Sequence, residues 1–199
     1  MPHQFGEIAF TPSVKAVQAR MGSRESYERF VARGPENSTL TPDVEAFITS
    51  MEGFYLGTVT SGGYPYIQFR GGKRGFLKIL GERTLGFADF RGNVQYISVG
   101  NLSVSNQAFL FLMDYRHRRR LKIFGHAHII ENDQTILDQV RDADYEATVE
   151  RAIIIDVKAW DWNCPQHIPR KFSEEEVAPL LQRIASLEAA LAAQGRTLD

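Results

Sequence analysis

The spacing of hydrophobic and polar residues changes from a helical to a strand-like period near residue 54. Before that point, residues 13–33 carry apolar side chains at about helical spacing. Residues 41–51 open with Thr41 and Pro42, a pair typical of a helix N-cap and first turn. After residue 54, β-branched and aromatic residues form short runs separated by Gly, Pro and Ser. The pattern predicts helices followed by β-hairpins.

Seven runs predict strands, most of them joined as hairpins: residues 54–60, 66–70, 76–80, 84–90, 109–114, 119–130 and 151–160. A short helix is predicted from Asn93, as its N-cap, to about Val104, and another helical stretch lies within 133–149. Repeated hairpins with one inserted helix are typical of a closed or partly closed antiparallel barrel. The predicted fold class is therefore mainly β within the α+β group, with peripheral helices.

The last segment of the chain predicts a C-terminal helix. Ser173 and Glu176 match a capping box. One apolar stripe follows, and Gly195 can end the helix; the stripe consists of Leu180, Ile184, Leu187 and Leu191. We expect a single structural domain with three parts: a helical segment packed on the barrel (1–53), the barrel (54–172) and the C-terminal helix (173–199).

Composition narrows the class of protein. The 199 residues are 43% hydrophobic and 24% charged, which is typical of a globular chain and not of a disordered one. The one cysteine, Cys164, has no second cysteine with which to form an internal disulfide. The apolar runs are too short to span a bilayer, and the first residues lack a signal-peptide pattern. We expect a cytoplasmic protein.

Charge is distributed unevenly along the chain. The formal net charge is −1, yet residues 70–122 hold eleven basic and three acidic residues, a balance of +8 that leaves −9 elsewhere. Such asymmetry predicts a localised anionic ligand. Arg70 and Lys78 lie on strands expected to be neighbours, and Arg91 precedes the helix start predicted at Asn93. A helix N-terminus flanked by arginine suits a phosphate group.

Several segments resemble the FMN-binding split-barrel family related to pyridoxamine 5'-phosphate oxidase: residues 57–70 with the turn Gly-Tyr-Pro-Tyr, 75–80, 84–96 and 119–125. The resemblance covers 54–131 and continues through 151–172, where 161–170 is similar to the tail of one bacterial branch. It implies an antiparallel split β-barrel that forms a homodimer, with FMN in the clefts between the subunits.

The resemblance also implies site residues. The implied cofactor contacts are Arg70, Lys78, Asp89, Phe90, Arg91, Asn93, Gln95, Arg119, Arg120, Trp162 and Gln166. His167 and Arg170 are implied to line the substrate pocket. No catalytic residue is assigned, because a flavin carries the redox chemistry itself. The implied activity is that of an FMN-dependent oxidoreductase acting on a small molecule.

Other functions stay open. The Asn93-Val94-Gln95 run stands where the oxidase has Ser-Arg-Lys, which argues against pyridoxamine phosphate as the substrate. The chain could store or sense flavin without turnover, or its barrel could hold a deazaflavin or haem. Nucleic-acid binding through the basic loop 116–120 is a remote alternative, since the loop is short and no recognition motif accompanies it. We expect neither nucleic acid nor membrane as a partner.

A metal site is a further alternative that the sequence does not favour. His126 and His128 face the same side of a predicted strand, and Cys164 and His167 are three residues apart. Together they could supply a zinc set, but nothing in the sequence brings the two pairs together. We expect structural or solvent-facing histidines and no bound metal.

Overall fold

The computed structural model describes residues 3–193, which form seven helices and seven strands. The helices are α1 (Gln4–Ala9), α2 (Pro12–Arg20), α3 (Arg24–Arg33), α4 (Pro42–Thr49), α5 (Ile97–Val104), α6 (Gln134–Val140) and α7 (Glu174–Ala193). The strands are β1 (Gly53–Val59), β2 (Pro65–Gly71), β3 (Lys78–Gly81), β4 (Thr84–Phe90), β5 (Gln107–Asp114), β6 (Arg119–Ile130) and β7 (Val149–Trp162).

The described residues divide into two compact units. The first comprises residues 3–113 and 120–164, and it holds helices α1 to α6 and nearly all of the sheet. The second comprises the loop 114–119 and residues 165–193, which include α7.

The strands form one seven-stranded antiparallel sheet in the order β2-β1-β5-β6-β7-β4-β3. Strands β2 and β4 are far apart in this order, yet Arg70 on β2 donates a hydrogen bond to Asp89 on β4 across 2.7 Å. The sheet must therefore curl until its edges approach each other. The predicted antiparallel barrel is confirmed, but β2 and β3 are the two edge strands, so the prediction that Arg70 and Lys78 lie on neighbouring strands is wrong.

An aromatic cluster fills the interior of the curled sheet. Phe54, Phe76 and Phe87 are fully buried, and their ring centroids lie 5.2 to 6.0 Å apart. Phe76 and its neighbour Leu77 belong to a predicted strand, but β3 begins only at Lys78. Their burial in the core accounts for the apolar pattern that the sequence shows there, although they have no place in the strand.

The N-terminal helices contact β7 through a buried polar cluster. The Trp160 indole N–H donates to the Thr39 carbonyl across 2.9 Å, and the Trp160 backbone N–H donates to the Asn37 carbonyl across 2.8 Å. His3 lies beside Asn37, and its Nδ1 accepts from the Gly6 N–H. Burial lowers the pKa of His3 below its ordinary value. Helix α1, which contains Gly6, was not predicted, whereas α2, α3 and α4 are confirmed.

Helix α7 begins as the capping box predicts. The Glu176 N–H donates to the Ser173 hydroxyl across 3.3 Å, and the Ser173 N–H donates to the Glu176 carboxylate across 2.9 Å. The stripe residues Leu180, Ile184 and Leu187 are exposed. The helix stop predicted at Gly195 lies outside the described residues.

Candidate functional site

A cleft of about 230 Å³ opens in the first unit, where β2, β4 and the loop before α5 meet. Its lining combines aromatic, amide and charged side chains: Tyr66, Gln68, Arg70, Asp89, Phe90, Gly92, Asn93, Val94, Gln95, Tyr96, Ile97, Val99 and Glu150.

Strand β2 supplies one wall of the cleft because successive side chains of a strand point to opposite faces. Tyr66, Gln68 and Arg70 are half-buried and line the cleft. Ile67 and Phe69 alternate with them and are 66% and 58% exposed on the other face. One short strand therefore has a polar face that lines the cleft and an exposed apolar face.

Asp89 is the centre of a buried charge network and is only 4% exposed. Its carboxylate accepts from Arg70 Nη1 across 2.7 Å and from Arg151 Nη1 across 2.9 Å. Arg151 comes within reach because β4 and β7 pair with Asp89 opposite Arg151. Arg70 Nε is buried and finds no acceptor within the described part of the chain. A residue of the cleft wall therefore keeps one buried N–H without a hydrogen-bond partner among the described residues, which is costly.

Arg151 links this network to the mouth of the cleft. Its guanidinium lies 3.3 Å from the Glu150 carboxylate and 3.2 Å from Glu131, and it stacks over the Tyr96 ring at 5.1 Å. The Tyr96 hydroxyl donates to Glu150 across 3.0 Å. Burial on its own lowers the pKa of Arg151, but the hydrogen bonds and charges of Asp89, Glu131 and Glu150 outweigh it and raise that pKa above its ordinary value.

The loop before α5 corrects the predicted helix start. The helix begins at Ile97 with Tyr96 as its N-cap residue, so Asn93 is not the N-cap. The Asn93 carboxamide oxygen accepts from the Gln95 N–H across 3.3 Å, within the loop. Val94 and Tyr96 have φ values of 54° and 51°, in the left-handed region that helices exclude. Such backbone is costly for a β-branched residue, and strained residues of this kind cluster at functional sites. Nothing in the local sequence indicates this conformation.

Two side-chain hydrogen bonds fix α5, and with it the loop, to the sheet. The Asn101 amide donates to the buried Thr58 hydroxyl across 3.0 Å, and the Ser98 hydroxyl donates to Gln68 across 3.2 Å. The loop 92–96 is therefore held at its helical end as well as through Tyr96.

The structure brings five of the predicted site residues together in the cleft lining: Arg70, Asp89, Phe90, Asn93 and Gln95. Arg91 lies next to them in the chain and is 65% exposed, with Nε 3.9 Å from the Glu150 carboxylate. Its backbone N–H donates to the Thr148 carbonyl across 2.8 Å, which fixes the start of the loop.

Other predicted residues of the first unit do not line this cleft. Lys78 pairs with Asp142 at 2.5 Å. Trp162 packs edge-on against Phe47, with ring centroids 4.9 Å apart. Arg120 donates to the Cys164 carbonyl across 2.9 Å.

The remaining predicted residues belong to the second unit. Arg119 opens strand β6, and Gln166, His167 and Arg170 precede α7 as exposed side chains. His167 has a φ of 61°, in the left-handed region.

The positive charge of residues 70–122 does not converge on the cleft as expected. Carboxylates from elsewhere in the chain pair with several of its cations: Lys73 with Asp144, Arg74 with Glu52, Lys78 with Asp142, Arg116 with Glu176 and Lys122 with Asp161. A charge count along the sequence omits partners that only the fold brings near. Five of the eleven basic residues of this segment therefore form ion pairs outside the cleft lining.

Sequence reasoning missed five residues that build the site: Tyr66, Gln68, Tyr96, Glu150 and Arg151. The alternation of residues 66–70 carried a usable signal, because Tyr66 and Gln68 must share the face of Arg70. Tyr96, Glu150 and Arg151 depend on a left-handed loop and on the register of β4 against β7, which no local pattern contains.

Within residues 3–193, no group of three or more His, Cys, Asp and Glu side chains could hold a metal ion. His128 Nε2 lies 3.1 Å from the Asp156 carboxylate. Of the helices described, none has both the length and the apolar character needed to cross a bilayer.

Solved structures share this architecture. HupZ of Group A Streptococcus is 13% identical, with 66% of this chain aligned to 98% of that one and a TM-score of 0.51. A variant of HupZ is 15% identical, with 62% of this chain aligned to 99% of that one and a TM-score of 0.51. A proposed pyridoxamine 5'-phosphate oxidase of Lactobacillus delbrueckii is 15% identical, with 62% of this chain aligned to 94% of that one and a TM-score of 0.50.

These similarities confirm the antiparallel split β-barrel fold that the resemblance implied. Protein-family models and curated proteins give no match to the sequence.

Proposed function

We propose that the chain is an FMN-binding flavoprotein that acts as an FMN-dependent oxidoreductase on a small molecule. The observation that carries this proposal is the buried Arg70 Nε, which has no acceptor among the described residues and belongs to a side chain that lines the cleft. A buried donor without a partner costs about 1–3 kcal/mol. A ligand acceptor at this position would recover that free energy.

The residues of the cleft fit a flavin nucleotide. Tyr66, Phe90 and Tyr96 offer aromatic surface for a planar ring system. Arg70 and Gln68 would hold its polar edge, while the amides of loop 92–97 and Arg91 would hold the phosphate. When bound, FMN supplies the electron-transfer chemistry, and the protein orients the ring and sets the charge around it.

A second copy of the chain is proposed to complete the site. The cleft volume of about 230 Å³ is below the roughly 300–1,000 Å³ typical of ligand pockets, so one chain does not enclose a flavin nucleotide. Tyr55, Ile67 and Phe69 form an exposed apolar surface on the strand pair that carries the cleft wall. Exposed apolar patches of this kind are typical of interfaces. We therefore propose a homodimer formed through this surface.

The proposed dimer would allow predicted residues outside the cleft lining to contribute to the site. We propose that Gln166 contacts the flavin across the subunit interface and that His167 and Arg170 line the substrate space. Lys78, Arg119, Arg120 and Trp162 remain proposed cofactor contacts on the strength of the family resemblance alone.

Two alternatives gain no support from the described contacts. Nucleic-acid binding needs free arginines and aromatic faces in loop 116–120, yet Arg116 pairs with Glu176 and the Lys171 ammonium covers the Tyr115 ring at 4.3 Å. The described lining of the cleft contains no His, Cys or Met, so Tyr66 and Tyr96 are the haem-ligand types that it offers. A flavin-binding protein without turnover would use the same cleft, and only a turnover assay separates it from an enzyme.

Substituting Arg70 tests the FMN site. Arg70→Lys keeps a cation beside Asp89 but removes the Nε donor, and we expect the Kd for FMN to rise about tenfold, the value of a lost charge-assisted hydrogen bond. The measurement is a titration followed by the change in flavin fluorescence, with a thermal melt to verify folding.

The matched control is Arg74→Lys. Arg74 is exposed and pairs with Glu52 at 3.5 Å, and it does not line the cleft. Its substitution leaves the Kd unchanged. Equal effects of the two variants, or full FMN affinity in Arg70→Lys, would show that the flavin does not bind in this cleft.

A further inference from the structure

We propose that Glu150 determines how strongly the cleft prefers a phosphorylated flavin over an uncharged one. The inference rests on the proposed FMN site and concerns the charge that this site accepts. Glu150 lines the cleft and is largely buried, and its carboxylate contacts three donor groups. These are the Tyr96 hydroxyl at 3.0 Å, Arg151 Nη2 at 3.3 Å and Arg91 Nε at 3.9 Å.

The charges around the cleft leave little surplus for an anion. Arg70 and Asp89 line it as a hydrogen-bonded ion pair, so their charges largely cancel. Arg151 also pairs with Asp89 and Glu150. Arg91, next to the lining residues Phe90 and Gly92, is less engaged: among the described residues its ion pair with Glu150 is long, and its side chain is mostly exposed. Glu150 is the carboxylate that holds it.

A phosphate entering the mouth must therefore compete with Glu150 for Arg91. The phosphate also lies near the negative charge of the Glu150 carboxylate in a partly desolvated cleft, where repulsion between like charges is stronger than in water. An uncharged ligand such as riboflavin bears neither cost. Glu150 thus lowers the affinity for FMN while leaving that for riboflavin unaffected.

Glu150→Gln tests this role, because the amide oxygen can still accept from Tyr96 while the charge is removed. We expect FMN to bind about five- to tenfold more tightly at low ionic strength, as expected for one charge several ångströms from a phosphate. Riboflavin affinity does not change. The gain shrinks as salt is added, because a Debye length of about 8 Å at 0.15 M screens the interaction.

The matched control is Glu131→Gln. Glu131 contacts the same Arg151 guanidinium at 3.2 Å but is exposed and does not line the cleft, so neither flavin changes affinity. Equal shifts for FMN and riboflavin in Glu150→Gln, or the same gain in Glu131→Gln, would overturn the inference.

Arg91→Met provides a second test that does not depend on the folding of Glu150→Gln. It weakens FMN binding about fivefold or more without affecting riboflavin, because it removes the cation for which Glu150 and the phosphate compete. Unchanged FMN affinity in Arg91→Met would contradict the inference while leaving the FMN site intact. Failure of the unsubstituted protein to bind either flavin would contradict the proposed function itself, and this inference with it.

Discussion

Asp89→Ala lowers the free energy of unfolding by about 3–5 kcal/mol, the range found when one partner of a buried ion pair is removed. The carboxylate is almost fully buried and bridges Arg70 and Arg151 at 2.7 and 2.9 Å. Alanine leaves two largely buried guanidinium groups facing each other without the anion between them. Urea denaturation followed by circular dichroism measures the change.

The control for this variant is again Glu131→Gln. Glu131 reaches the same Arg151 guanidinium but is 55% exposed, and surface ion pairs contribute only about 0–1 kcal/mol. A loss for Asp89→Ala that is no larger than that for Glu131→Gln would mean that the charge network does not hold β2 to β4. The curled sheet would then depend on its apolar core alone.

Phe87→Ala lowers the free energy of unfolding by about 3–5 kcal/mol, because apolar burial is lost and a cavity is left behind. Phe87 is 0% exposed on β4, with ring centroids 5.2 Å from Phe54 and 5.6 Å from Phe76. Because these rings come from three separate segments, their packing joins elements distant in sequence. The same denaturation experiment measures the change.

Met21→Ala is the comparison for Phe87→Ala. Met21 is also a large apolar residue, but it is exposed at the end of α2, and its truncation changes stability by less than about 0.5 kcal/mol. Similar losses for the two variants would contradict the position of Phe87 in the centre of the barrel.

Local features of the fold could be predicted well from the sequence. The predicted bounds of β4 and β6 agree with the structure, because alternation over several residues is a property of the strand itself. The capping box of α7 is likewise local.

The order of the strands could not be predicted from local patterns, because it depends on contacts between segments that are distant in sequence. Strand β7, the last in sequence, lies between β6 and β4, and β3 becomes an edge strand. Adjacency in sequence therefore wrongly placed Lys78 beside Arg70. The resemblance to split barrels, rather than periodicity, indicated the architecture.

In the candidate site, too, residues marked by a local pattern could be predicted and residues that depend on long-range contacts could not. Arg70 and Asp89 could be selected because charged residues stand out within apolar strands. Glu150 and Tyr96 could not, since one acquires its role through the pairing of β4 with β7 and the other through a left-handed backbone. The charge count along the sequence overstated the free positive charge, because the fold places carboxylates beside cations that the sequence shows alone.

Binding of FMN to this split barrel is tested by the absorption spectrum of the purified protein. The protein is incubated with FMN, desalted and examined for bound flavin, and the chromophore is identified by mass spectrometry after denaturation. We expect the visible bands of oxidised flavin and release of FMN in stoichiometric amount. A folded protein that stays colourless after this treatment would contradict it.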